Sequence, residues 1–347
     1  MRLGIRYDDL KERVGGMLNL VPEPVGLSML SMPAARSLQV AQSTGMLGEL
    51  GAGPATAEQL AQRLGLREQG TRRVLEVLTT AGIVRMAGER FEIAPRQRKW
   101  LDPASPTYIG DFLADNVHYW QWWQDLEGLV RDGRAVELHD KPPEDPYWRS
   151  YIMGQYQLAK LSSAPVAKAV GLPSGSRSLL DVAGAHGEFS MALCRRHPEL
   201  SATVVDLPGS ARIGREIVAA AGMSDRVHHV EGDMFAADLG GPHDGALVFN
   251  IVHHLTPEQT RELFSRVAAV TRAGAPVCVL DLYDRPAGRA PDSGSYLGLF
   301  FHLTSGADTY STDQVSGWLR DSGFDQVTVR RLAALPGLAL VRAVRQG

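Results

Sequence analysis

The stretch DVAGAHGEF, Asp181 to Phe189, decides the reading of the fold. An apolar run of strand composition, SLLDVA, precedes it, and residues with helical spacing follow it. Gly184 and Gly187 let a ligand come close to the backbone at a strand's carboxyl end, where open α/β sheets bind ligands. Glycine-rich turns also occur in ordinary packing, so the weight falls on the next two strands.

The second run, ATVVDL, ends in Asp206, 25 residues after Asp181. An acid there can accept both hydroxyls of a ribose, and Leu207 with Pro208 offers an apolar edge to a base. The third run, RVHHVEG, leads into Gly232-Asp233-Met234-Phe235. Asp233 can accept from an adenine amino group and Met234 can cover the ring. Three consecutive strand ends therefore read as turn, ribose acid and adenine acid. A dinucleotide is the natural rival. Against it, Asp181 precedes the first glycine, there is a single tight glycine pair, and GDMF has no standard task in a dinucleotide site. A ligand without a pyrophosphate needs no helix N-terminus aimed at phosphate.

Two further strand-like runs follow, GALVFNIV and APVCVLDLY, with helical runs at Ser210–Ala221 and Pro257–Thr271. The chain then gives a helix at Thr312–Ser322 and strands near Gln326–Leu332 and Ala339–Val344. Alternating β and α elements predict a mostly parallel, doubly wound, Rossmann-like α/β sheet over 171–347.

The N-terminal part differs. Leu10 to Leu20 has some helical spacing, and the prolines around Glu23 are expected to break it. A helix is expected over Ala34–Leu50, ended by Gly-Ala-Gly-Pro. A second is capped by Thr56 with Gln59 three residues on. A third runs Arg67–Ala81, with Val74, Leu75, Val77 and Leu78 as its stripe, and two short strands turn at Ala87-Gly88. Three helices and a two-stranded wing predict a mostly α winged-helix domain over 1–105. Residues 30–100 carry ten Arg and Lys against six Glu, a mild excess that fits a dimerisation module better than DNA recognition. Residues 106–170 are expected to be helical around an HDKPPEDP loop. Their aromatics either form plain core or wall a pocket for a flat substrate, which would fall on Trp120, Trp123 and Met153.

A chain of 347 residues with 44% hydrophobic and 22% charged residues fits two soluble domains. The net charge of -3 implies no bulk attraction to nucleic acid or an anionic membrane. Cys194 and Cys278 sit alone in apolar runs, as free thiols do in a reducing compartment. With no spanning segment and no signal-peptide core, a cytoplasmic enzyme is expected. His228 and His229 lie on a strand with opposite-facing side chains, so no metal site is expected.

Taken in order, DVAGAHG, VVDLP, GDMF and NIVHH resemble the motifs D-V-G-G-G-x-G, V-x-D-L-P, G-D-x-F and N-x-x-H-D. These belong to the S-adenosylmethionine-dependent O-methyltransferase family of plant caffeate methyltransferases and bacterial natural-product methyltransferases. The resemblance covers nearly the whole chain. It implies S-adenosylmethionine as cofactor, a class I methyltransferase sheet with an antiparallel last strand, and a homodimer built through the N-terminal domain. It implies an aromatic or polyketide-like acceptor, a cofactor contact from Asn250, and a general base at His253. Histidine suits that task near neutral pH, and alignment of acceptor and methyl supplies much of the remaining acceleration. By position, Asp284 and Asp308 would orient the base.

This sequence departs from the family pattern at several points. Ala183 and Ala185 replace two motif glycines, which is tolerable where φ stays negative. His186 fills the variable slot and could reach the cofactor carboxylate. His254 replaces the aspartate after the base and joins the substrate-binding candidates. G-x-E-R-T is reduced to GADTY. N- or C-methylation, a non-methylating relative on the same fold (decarboxylase, hydroxylase or pericyclase), and a small-molecule-sensing DNA-binding regulator are the alternatives.

Overall fold

The structure, a computed structural model, describes residues 7–347 apart from 8, 21, 285–293 and 333–336. The chain divides into two compact units, Met1–Val117 and His118–Gly347.

In the first unit α1 (Leu10–Met17) is capped by Asp9, whose side chain accepts from the Glu12 amide. The expected break separates it from α2 (Glu23–Ser43), which begins directly after Pro22. Pro24 lies in its first turn, where a helix has no use for the missing N–H. The helix expected over Ala34–Leu50 is two helices. Gly45, at φ 83°, separates α2 from α3 (Met46–Ala52). Thr56 and Gln59 form the expected reciprocal cap of α4 (Ala57–Leu64). Then come α5 (Glu68–Thr80), an antiparallel hairpin of β1 (Val84–Ala87) and β2 (Arg90–Ile93), and α6 (Arg98–Leu101). Leu47, Leu50, Leu60, Leu75, Leu78, Phe91 and Ile93 are fully buried together. At about 1.5–3 kcal/mol for each large apolar side chain removed from water, this cluster is what holds the short elements in place. Helix α7 (Gly110–Trp123) runs across the division between the units.

The second unit begins with α8 (Leu126–Asp132), α9 (Tyr147–Lys160) and α10 (Ser163–Val170). The predicted alternation follows: β3 (Ser178–Val182), α11 (Glu188–Arg196), β4 (Ser201–Asp206), α12 (Pro208–Ala220), β5 (Val227–Glu231) and β6 (Ala246–Phe249). After a short 3-10 turn at Val252–His254 come α13 (Pro257–Val270), β7 (Pro276–Leu282), α14 (Gly294–Ser305), α15 (Thr312–Asp321), β8 (Phe324–Arg331) and β9 (Leu338–Arg345).

The seven strands lie in the order β5-β4-β3-β6-β7-β9-β8. The first five are parallel, and β9 inserts antiparallel to both β7 and β8. Every residue of β6 and β7 is buried, as expected of strands covered on both faces. The chain leaves β3 toward β4 and β5, then returns to β6 on the other side. Strand order thus reverses between β3 and β6, and a crevice opens at their carboxyl ends.

Candidate active site

A cavity of about 270 Å³ occupies that crevice. Asp206 and Leu207 line it from the end of β4, and Gly232, Asp233, Met234 and Phe235 from the end of β5. Asn250, Ile251, His254 and Leu255 line it from beyond β6. A further wall is His139 with Trp148, Tyr151 and Ile152, the last three on one face of α9. The wall is a mixture of apolar faces and a few convergent polar groups, as ligand sites are.

The turn after β3 is held from several directions. Asp206 accepts from the Ala185 amide through Oδ2 and from the Leu207 amide through Oδ1, each at 2.7 Å. His229 Nε2 donates to the Ala185 carbonyl at 2.8 Å. Ala183 and Ala185 lie at φ 54° and 43°, not at the negative φ expected of alanine there. The fold imposes the glycine conformation on residues that carry a Cβ, and both backbone groups of Ala185 are pinned in it. Gly214 on α12 gives the turn room, since a Cβ there would lie 2.2 Å from the Ala185 carbonyl oxygen. A Cβ on Gly184 would lie 2.5 Å from the Asp181 carboxyl carbon. Asn250 also has positive φ, 53°, a conformation asparagine tolerates. Its amide donates to the Leu280 carbonyl at 2.7 Å.

Five of the nine expected cofactor residues lie on the cavity wall: Asp206, Leu207, Asp233, Met234 and Asn250. Asp181, Gly184, His186 and Gly187 do not. Asp181 is buried beneath the turn, with Ser190 Oγ donating to its Oδ2 at 2.6 Å. Burial pushes its pKa up to about 7 and that of Asp206 up to about 6. Gly187, at φ 68°, caps α11. His186 is turned away from its expected task. It is buried, its Nδ1 accepts from the Glu188 amide at 3.0 Å, and its ring packs near Tyr156 and Phe189. Burial lowers its pKa to about 3, so it holds the start of α11 as a neutral ring.

His253 lies on the 3-10 turn beside the cavity and is buried. Its Nδ1 donates to Asp281 Oδ1 at 2.6 Å. Oδ2 of the same carboxylate accepts from the Val252 amide at 3.0 Å, and Oδ1 also accepts from the Leu282 amide at 2.7 Å. The acid that orients this imidazole is therefore Asp281, inside β7, and not Asp284 or Asp308. Asp284 accepts from Thr309 Oγ1, and Asp308 accepts from the Thr309 amide. The available signal was a carboxylate in the middle of an otherwise apolar buried strand, since such groups are rarely buried unpaired. Phe301 of α14 stacks across the His253 ring, with centroids 3.6 Å apart.

Of the four expected substrate residues, His254 lines the cavity and Trp120, Trp123 and Met153 do not. Trp123 is exposed and packs near Phe300, and Met153 packs against the apolar core. The helix-face spacing of Trp148, Tyr151 and Ile152 was legible and passed over. Trp148 reaches the wall because α12 has Gly209 opposite it, where a Cβ would lie 2.3 Å from the indole nitrogen. That nitrogen donates to the Pro142 carbonyl at 2.9 Å.

The donor set fits an adenosine-bearing ligand. Two carboxylates can accept from hydroxyl and amino groups, and Leu207, Met234 and Phe235 supply apolar faces. Comparison with known proteins agrees. The family model for the O-methyltransferase domain matches residues 128–325. A 3-hydroxy-5-methyl-1-naphthoate 3-O-methyltransferase from Streptomyces sahachiroi is 28% identical over 321 residues, covering 89% of this chain and 91% of its own. The N,N-dimethyltransferase OxyT of Streptomyces rimosus is 24% identical, covering 94% and 98%. Among solved structures, human N-acetylserotonin methyltransferase in complex with SAM superposes with a TM-score of 0.81 at 16% identity, covering 99% of this chain and all of its own. Fold, strand-end cavity and sequence coincide: this chain belongs to the O-methyltransferase domain family and is a methyltransferase.

Proposed function

We propose that this chain transfers a methyl group from S-adenosylmethionine to a hydroxyl of an aromatic or polyketide-like small molecule, with His253 as general base. The observation that carries the base assignment is the bond from His253 Nδ1 to Asp281 Oδ1 beside the strand-end cavity. Asp206 and Asp233 would hold the ribose and adenine of the donor, with Leu207, Met234 and Phe235 against the base. The donor supplies an electrophilic methyl group. Because His253 donates through Nδ1, its Nε2 carries the lone pair and can take the acceptor's proton. Asp281 fixes that tautomer and stabilises the imidazolium that forms.

The reading of the chain as a winged-helix dimerisation domain over 1–105, a pocket segment over 106–170 and a catalytic domain over 171–347 belongs to the same proposal. Exposed apolar side chains along α1 and α2, including Met17, Met29, Leu30 and Met32, support a homodimer. Analytical ultracentrifugation checks it, and a monomer at micromolar concentration contradicts it. Cytoplasmic action on a small molecule fits the absence of a helix long and apolar enough to cross a membrane among the described residues.

The relative OxyT favours N-methylation as the second reading. Incubation with methyl-labelled S-adenosylmethionine and a panel of hydroxyarenes and aminoarenes separates the two. Label in methoxy products that is lost with His253→Ala supports the proposal. Label confined to N-methyl products overturns it.

A further inference from the structure

His139 and His254 meet on the cavity wall, with ring centroids 5.2 Å apart and planes at 77°. Neither ring hydrogen bonds to any described residue, and Nδ1 of each is enclosed without a partner. Both rings are nevertheless fixed. His139 stacks on Trp148 (6.0 Å, 14°) and packs near Tyr151, while His254 lies 4.3 Å from His253. The side chains around them on this part of the wall are Trp148, Tyr151, Ile152, Ile251 and Leu255, largely apolar. Among the described residues no Lys or Arg lines the cavity. Two held imidazoles that make no hydrogen bond to a described residue, in an apolar setting on a cavity wall, keep Nε2 of each ring for a ligand.

Resting on the methyltransferase reading above, we propose that His139 and His254 form a recognition subsite for a carbonyl or carboxylate oxygen carried by the methyl acceptor beside its reacting hydroxyl. Burial keeps both rings neutral. His139 falls to about 4 and His254 well below the ordinary histidine value. A neutral imidazole has one N–H, and with Nδ1 of each ring enclosed the nitrogen left to meet a ligand in the cavity is Nε2, so the two Nε2–H groups can donate to a single oxygen. The chemistry also serves the reaction. In an ortho-hydroxy carbonyl compound the hydroxyl is internally bonded to the carbonyl. Imidazole donors that engage the carbonyl oxygen free that hydroxyl to give its proton to a base. These are specificity-determining positions, distinct from the base His253.

The test is equilibrium binding of three probes to the protein saturated with S-adenosylhomocysteine, followed by calorimetry: 1-naphthol, 2-acetyl-1-naphthol and 1-hydroxy-2-naphthoate. The wild type is expected to prefer at least one oxygen-bearing probe over 1-naphthol by about tenfold or more, as two added hydrogen bonds allow. Preference for the acetyl compound identifies a ketone subsite, and preference for the naphthoate identifies a carboxylate subsite. His254→Leu and His139→Leu should each erase most of that preference, and His254→Gln should restore part of it. Equal affinity for all three probes overturns the proposal. So does binding of none, or a preference that survives in both leucine variants. Binding of S-adenosylhomocysteine is read separately, so loss of the cofactor site would be recognised as failure of the underlying reading.

Discussion

His229 on β5 donates through Nε2 to the carbonyl of Ala185 at 2.8 Å, and so helps pin a left-handed alanine at φ 43° in the turn that borders the cavity. The amide of that alanine is held by Asp206. The turn is thus a strained element secured at both of its backbone groups.

That strain predicts the effect of glycine. A left-handed non-glycine residue costs about 1–2 kcal/mol, and added unfolded-state freedom returns about 0.4–1 kcal/mol of that. Ala183→Gly and Ala185→Gly should each raise stability by about 0.5–1 kcal/mol in urea denaturation. A loss of that size at both sites would mean the turn is unstrained.

Gly214→Ala tests the same turn from below. Its Cβ would meet the Ala185 carbonyl oxygen at 2.2 Å and His229 Nε2 at 2.3 Å. Overpacking of this kind costs about 1–3 kcal/mol. The variant should be destabilised by that amount and should bind S-adenosylhomocysteine about tenfold more weakly or worse. Wild-type affinity in this variant would show that the turn does not shape the site.

The sheet was legible because its strands are apolar runs of strand length bounded by helical runs, and the acids at 206 and 233 stood at strand ends where ligands bind. Conformation in the turn was not legible, because nothing local in GAHG forces Ala185 to positive φ. That follows from contacts with Asp206 and His229, which lie 21 and 44 residues away. Asp281 was missed for a similar reason. Its neighbours read as uninterrupted buried strand, and only the pairing of β6 with β7 brings it to the His253 turn. The aromatic side chains on the cavity wall are Trp148 and Tyr151, not the expected Trp120 and Trp123, since the sequence gives no indication of which face each helix turns to the cavity. At the N-terminus the break expected near Glu23 is present between α1 and α2, and what the sequence did not show is that Pro24 also starts the next helix.

Asp181 gives a pH signature. Burial raises its folded-state pKa from 3.8 to about 7, so the folded protein binds this proton more tightly than the unfolded chain does. Its contribution to stability is complete below about pH 4 and is lost as pH rises through about 7. Asp181→Asn removes the titration. The stability of the variant relative to wild type should therefore climb between pH 4 and pH 8, as read by denaturation at each pH. A constant difference across that range would place the titration elsewhere.

Asp281→Asn should lower kcat by about 10²–10⁴, as loss of an oriented general base does, using an acceptor that the wild type turns over. His253→Ala should fall in the same range. The proposed donor contacts, Asp206 and Asp233, are unchanged in both variants, so affinity for S-adenosylhomocysteine should stay within about twofold of wild type. Wild-type kcat in both variants would remove the pair from the chemistry.

The most direct test of the account is calorimetric titration of S-adenosylhomocysteine into wild type and Asp206→Ala. Wild type should bind at about micromolar Kd and the variant at least about 100-fold more weakly. Because burial raises the Asp206 pKa to about 6 and ligand hydroxyls favour the ionised carboxylate, wild-type affinity should rise between pH 5 and pH 7 and then level off. Absence of binding to the wild type, or equal binding by the variant, would contradict the assignment of this cavity to the methyl donor.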